Sequence, residues 1–268
     1  MSRVFLIGAG PGDPELLTLK ALRLLQAAEV VLYDSLVDPR IIAMASPAAR
    51  LIDVGKRCGK HSASQSEICA LLLAEARAGY LVVRLKGGDP MVFGRATEEM
   101  DALRAHGVAF EIVPGITAAT AAAATLELSL TKRGVARSLH FLTGHGADGG
   151  LPAHDWVSLT KSGGTLVVYM GSKTLGGMAA HFIEAGMEPD MPAIAIENAS
   201  LAHQKSISGT IAMLPRLVEN EALAGPVLIM IGEAMRKTND KTQVSGDATR
   251  ADSYGIRKQA AFEKIFAS

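Results

Sequence analysis

LKGGDPMVFGRATEE, residues 85–99, decides how this chain is read. It leaves an apolar run over 80–85, turns through Gly87-Gly88-Asp89-Pro90, and enters a segment where Arg95, Glu98 and Glu99 fall at helical spacing. Adjacent glycines let backbone come close to a ligand, and Pro90 fixes the exit direction. A counterpart, GAGPGDPELLT over 8–18, has the same logic. Two such loops in one chain predict an α/β protein with a cradled ligand.

Outward from that stretch, short β-branched runs at 4–7, 30–33, 51–54, 80–85 and 109–113 read as strands that alternate with amphipathic segments. Residues 14–28 are expected to form a helix opened by Pro14. Ser64-Gln65-Ser66-Glu67 matches a capping box, with Ile68, Leu71 and Leu72 on the core-facing stripe that follows. This alternation predicts a mostly parallel sheet covered on both faces. Past Pro114-Gly115, an Ala/Thr-rich segment over 117–126 makes a close-packing helix. Further strands are predicted at 139–143, 165–170, 193–197, 205–208 and 227–231. Their shorter final spacing implies antiparallel pairing and a mixed sheet with helices on both faces. The expected organisation is an N-terminal α/β domain over 1–130, a polar linker over 131–137, a C-terminal α/β domain over 138–235 and a polar tail over 236–268.

The 27 basic and 27 acidic residues cancel, so an anionic ligand must be met by local cations and not by a global field. Aromatics at 4% argue against a base-stacking surface, and no nucleic-acid partner is expected. No apolar run reaches the length of a membrane span, and VFLIGAG reads as a strand entering a loop, not a signal peptide. Cys58 and Cys69 have neither metal-ligand spacing nor a paired framework, and the histidines form no metal motif. A metal-free protein of the reducing cytoplasm is therefore expected.

In open parallel sheets, ligands gather at the carboxyl ends of strands. That rule brings together the 8–12 loop, Asp34, Lys56, the 86–89 loop and residues 115–117. The first loop resists a dinucleotide reading: after Gly8 and Gly10 it offers Asp13, and Pro11 removes a backbone donor. A nucleotide-type ligand without phosphates fits better. A nicotinamide-dependent reductase and a non-catalytic ligand-sensing module are the competing readings. Among the basic residues, Lys60 and Arg84 read as solvated, whereas Arg95 and Arg133 suit carboxylates, whose geometry matches a guanidinium fork. Arg95 with Glu98 or Glu99 reads equally as a helix-surface ion pair.

GAGPGDPELLT, VLYDSLV, VGKRCGKHS, LKGGDPMVFGRATEE, VPGITAATAAA, LTKRGVARS and TLVVYMG follow one another here in the order found in the uroporphyrinogen-III C-methyltransferase family of tetrapyrrole methylases, which the chain resembles over 3–233. The resemblance implies two α/β domains with S-adenosylmethionine in the cleft between them, leaving S-adenosylhomocysteine as product. It implies two methyl transfers to uroporphyrinogen III, giving precorrin-2 through precorrin-1, and a homodimer. By the same resemblance, cofactor contacts fall to Pro11, to Gly87, Gly88, Asp89 and Val92, and to Thr117 and Ala118. In the second half they fall to Met170, Ala199 and Val227. Asp34 and Lys56 match acid–base positions; Arg95, Glu98 and Arg133 match substrate-facing ones, with either Glu98 or Asp34 available as the base. IENASLAHQKSISG departs from the family's usual run around Ala199, and Ser35 replaces a larger residue. Nothing of the resemblance touches a fused dehydrogenase–ferrochelatase, so it implies the methylation step alone.

Overall fold

The computed structural model describes residues 3–55, 63–146 and 148–236. Lys56, Lys60 and the 237–268 part of the polar tail lie outside the described residues. The chain runs β1 (Arg3–Gly8), α1 (Leu19–Ala27), β2 (Val30–Tyr33), α2 (Pro39–Ile42), β3 (Arg50–Asp53), α3 (Gln65–Arg77), β4 (Leu81–Lys86), α4 (Ala96–Ala105), β5 (Phe110–Val113) and α5 (Ala118–Thr125). The five strands form one parallel sheet in the order β3-β2-β4-β1-β5. Alternation along β1 shows why such strands read as unbroken apolar runs. Phe5 and Ile7 enter one core while Val4 and Leu6 enter another on the opposite face, so both faces are covered.

The helix expected over 14–28 is two pieces. Asp13 caps a single 3₁₀ turn, Pro14–Leu16, by accepting the Glu15 N–H; Leu17 is then extended. Thr18 starts α1 afresh by accepting from Ala21 N at 3.1 Å. Two side-chain caps in quick succession override the periodicity. The capping box of α3 is present, with Glu67 accepting from Ser64 N at 2.6 Å and Ser64 from Glu67 N at 3.3 Å.

A second sheet follows: β6 (Leu139–Thr143), α6 (Trp156–Lys161), β7 (Thr165–Tyr169), α7 (Leu175–Glu184), β8 (Pro192–Glu197), β9 (Lys205–Thr210), α8 (Leu214–Asn220) and β10 (Val227–Ile231). Its order is β6-β7-β10-β8-β9, with β6 and β7 parallel and the other pairs antiparallel. Helix α5 packs against this second sheet: Ala119, Ala122 and Ala123 share a core with Val167, Ile194, Ile196 and Leu228. Alanine keeps the helix close to the strands, so a segment that leaves the first sheet is anchored on the second. Leu130 and Ala136 join the same core, on either side of a turn closed by a Lys132–Ala136 bridge.

Candidate active site

The carboxyl ends of the first sheet meet backbone to backbone. Gly10 donates to the Gly88 carbonyl at 3.1 Å and Gly88 to the Gly10 carbonyl at 2.7 Å, which fastens the two glycine loops together. A Cβ on Gly8 would lie 2.6 Å from both Gly115 and the Gly88 carbonyl oxygen. Only hydrogen fits there. The Asp89 carboxylate accepts from Met91 N at 2.8 Å and from Gly115 N at 2.9 Å, tying the GGDP loop to the loop ahead of α5.

These loops border a cleft of about 730 Å³, the size of a small-molecule site. Pro11, Gly87, Gly88, Asp89 and Val92 line its first-sheet side, with Thr117 and Ala118 at the head of α5. Met170, Ala199 and Val227 line the side of the second sheet. Glu197, buried, accepts from Ala224 N at 2.6 Å and Gly225 N at 2.5 Å and so holds the loop that presents Pro226 and Val227. Asp13 N donates to Ser200 Oγ at 3.2 Å, joining the first loop to the far wall. Tyr169 joins the walls again. Its hydroxyl meets Thr117 Oγ1 at 2.5 Å and accepts from Ala119 N at 3.3 Å, capping α5 where Thr117 itself does not. Its ring lies 5.1 Å from Phe93 and 5.6 Å from Phe141. Burial raises the Tyr169 pKa, keeping the hydroxyl protonated.

Phe93, Arg95, Met170 and Asn198 line the cleft with left-handed backbone, a conformation that costs a side-chain-bearing residue about 1–3 kcal/mol. Strain gathered there fits a binding site shaped at the expense of local comfort.

Asp34 and Arg95 also line the cleft. Glu98 does not; it pairs with Arg95 at 2.7 Å on an exposed helix face. Arg133 is exposed on the 132–136 turn, outside the cleft lining. Arg84 corrects the sequence reading: it is buried, not solvated. Its Nε donates to Glu99 Oε1 at 3.1 Å, its Nη1 to the Leu85 carbonyl at 3.0 Å, and its Nη2 stands 3.6 Å from Asp34 Oδ2. Lys86 Nζ and Gln65 Nε2 reach the same Glu99 oxygen at 2.8 and 3.2 Å. Burial and the neighbouring Arg84 charge lower the Lys86 pKa, against the pull of Glu99. Glu99 is likewise no surface partner of Arg95, being fully buried against Arg84 and Lys86, and Tyr169 and Phe93 are site residues to which sequence reasoning gave no role. For Arg84 and Glu99, two cations at alternate positions of a buried strand were the available signal, because each then needs an inward-facing carboxylate. Among the described residues, no group of three or more His, Cys, Asp or Glu could hold a metal ion, and no helix is long and apolar enough to cross a membrane.

Fold and cleft together define a two-sheet α/β protein with a small-molecule cleft bordered by glycine loops and with buried ionisable groups at one end. Residues 3–215 match the family model of the tetrapyrrole (corrin/porphyrin) methylases, and the chain belongs to that family. Siroheme synthase of Chromobacterium violaceum is 46% identical over 232 residues, 87% of this chain and 49% of that protein. The chloroplastic S-adenosyl-L-methionine-dependent uroporphyrinogen III methyltransferase of Arabidopsis thaliana is 46% identical over 233 residues, again 87% of this chain and 63% of that protein. The chain thus spans about half to two thirds of these curated relatives' length. A crystal structure of uroporphyrin-III C-methyltransferase from Thermus thermophilus with S-adenosylhomocysteine is 43% identical, with a TM-score of 0.75 over 87% of this chain and 99% of that one.

Proposed function

We propose that this chain transfers two methyl groups from S-adenosylmethionine to carbon atoms of uroporphyrinogen III, giving precorrin-2 through precorrin-1. The observation that carries the reading is the cleft between the two sheets, bordered by two glycine loops, in a chain of this family. The residues suit the cofactor: around Gly10 and Gly88, whose own N–H and C=O groups are bonded to each other, and around Thr117–Ala118 the lining leaves room through small side chains, as the nucleoside part needs. When bound, S-adenosylmethionine supplies a methyl group on a sulfonium, whose carbon–sulfur bond breaks with the electron pair going to sulfur.

The chain's own contribution is positioning, dryness and proton handling. A pyrrole carbon that gains a methyl group leaves the macrocycle cationic until a proton departs. Of the cleft-lining carboxylates, Asp38 is taken up by Arg40 and Asp89 by the Met91 and Gly115 N–H groups, so Asp34, half-buried at the end of β2, is the base in this reading. Glu98, held by Arg95 outside the lining, is the weaker of the two. Arg95 is proposed to grip a substrate carboxylate, exchanging its partner Glu98 for it, and Arg133 to meet another at the periphery. Lys56 is proposed as a second acid–base group. A division into domains at about the 131–137 segment, a homodimer and a cytoplasmic setting complete the proposal.

Anaerobic incubation of uroporphyrinogen III with S-adenosylmethionine, followed by mass spectrometry, should show products heavier by one and then two methyl groups. A product that stops at one methyl with excess cofactor would move the substrate assignment elsewhere. Arg95→Ala should raise KM for the macrocycle by about 10-fold or more, as expected for one lost charge-assisted hydrogen bond, and leave S-adenosylhomocysteine affinity unchanged. A fall in cofactor affinity instead would place Arg95 on the other ligand.

A further inference from the structure

We propose that Arg84 is a positioning residue for Asp34, and that Glu99 holds Arg84 in that task. The inference rests on the reading of Asp34 as the proton acceptor. Arg84 stands on β4 in register with Leu6 of β1 and Leu32 of β2, on the face that forms the core under α3. That face is otherwise an apolar core, so a cation kept there depends on the buried Glu99 carboxylate beside it. Three of the guanidinium's nitrogens are engaged. Glu99 Oε1 and the Leu85 carbonyl fix its plane, and Nη2 is left facing Asp34 Oδ2. The other Asp34 oxygen accepts from Leu36 N at 3.2 Å. The backbone around Asp34 is confined as well: a Cβ on Gly55 would sit 2.1 Å from Ser35 N, and one on Gly87 2.7 Å from Leu36 Cβ. The carboxylate is thus held from both sides, with its remaining lone pairs free to face the cleft it lines.

Arg84 is 3% exposed and its charge is shared between Glu99 and Asp34, so it is poorly placed to capture a substrate carboxylate. Its effect should therefore fall on turnover and not on substrate affinity. A base displaced by about 1 Å loses on the order of 100-fold in rate.

The test is a double-mutant cycle of Asp34→Asn and Arg84→Met, read as kcat, KM, melting temperature and S-adenosylhomocysteine affinity. Arg84→Met should lower kcat by about 100-fold, move KM less than about 3-fold, and add little to Asp34→Asn in the double variant. Arg84→Lys, which keeps the charge but not the fork, should recover part of kcat, and Glu99→Gln should lower kcat in the same coupled way. If Arg84→Met does not fold, the cycle is run with Arg84→Lys. Additive losses in kcat, or a loss confined to KM or to melting temperature, overturn the proposal. A wild-type protein that leaves uroporphyrinogen III untouched defeats the functional reading instead, whereas an active wild type with an additive cycle defeats this inference alone.

Discussion

Gly115→Ala should weaken S-adenosylhomocysteine binding by at least 10-fold and lower the melting temperature, although it adds a single methyl group. That methyl would lie 2.3 Å from the Gly88 carbonyl oxygen and 2.8 Å from Gly8 Cα. Both obstacles are backbone, at the ends of β4 and β1, so neither can turn aside as a side chain would. Overpacking of this kind costs about 1–3 kcal/mol. In a chain of this size that is a melting-temperature loss of about 2–6 °C. The binding loss has a separate cause. Relieving the clash must part the Gly10–Gly88 bridge or move the 115–118 loop, and both border the cleft. Gly176→Ala is the control. Gly176 sits exposed in α7, and a Cβ added there would meet no neighbouring atom within 4 Å, so alanine should raise stability by about 0.5–1 kcal/mol through helix propensity. Calorimetric titration and thermal unfolding of the two variants should give opposite signs in stability and a binding defect only for Gly115→Ala. Equal behaviour would remove the argument for a glycine-built cleft floor.

The strand ends were legible because parallel strands buried on both faces are written as continuous apolar runs, and glycine loops follow two of them. Asp34 joined the cleft on that rule and, independently, through the VLYDSLV motif of the resemblance. The break at Leu17 was not legible: Leu16, Leu17 and Leu19 keep an apolar pattern across it, and only the cap geometry at Asp13 and Thr18 shows two pieces. Tyr169 was invisible for a different reason. Its partner Thr117 is 52 positions away, and nothing local in VVYMG tells that the hydroxyl caps another helix. Arg84 was misread as solvated because a charge in a strand suggests an exposed face. Its burial depends on Glu99, whose inward orientation is set by how α4 lies on the sheet.

Glu99→Leu should cost about 3–5 kcal/mol at neutral pH, since it leaves two buried cations facing one half-buried carboxylate. Glu99 is fully buried, and its Oε1 receives Arg84, Lys86 and Gln65 together, so no exposed group can take its place. The pH dependence identifies the cause. The Lys86 pKa is already lowered by burial and by Arg84, and Glu99 is the principal group raising it; without Glu99 it falls further. Well above the ordinary lysine value of about 10.4, the ammonium is neutral in folded and unfolded chains alike, and the Lys86 share of the penalty vanishes while that of the permanently charged Arg84 stays. As pH drops from there, the unfolded chain takes up a proton that the folded chain resists. Stability is therefore lost down to the folded pKa and is level below it. The deficit of Glu99→Leu against wild type should be largest near neutrality and shrink as pH rises toward about 10. Urea unfolding at about pH 7 and about pH 9.5 measures it. A deficit of the same size at both would clear Lys86 and assign the loss to packing around α4 and to the unpaired Arg84, whose charge does not change with pH.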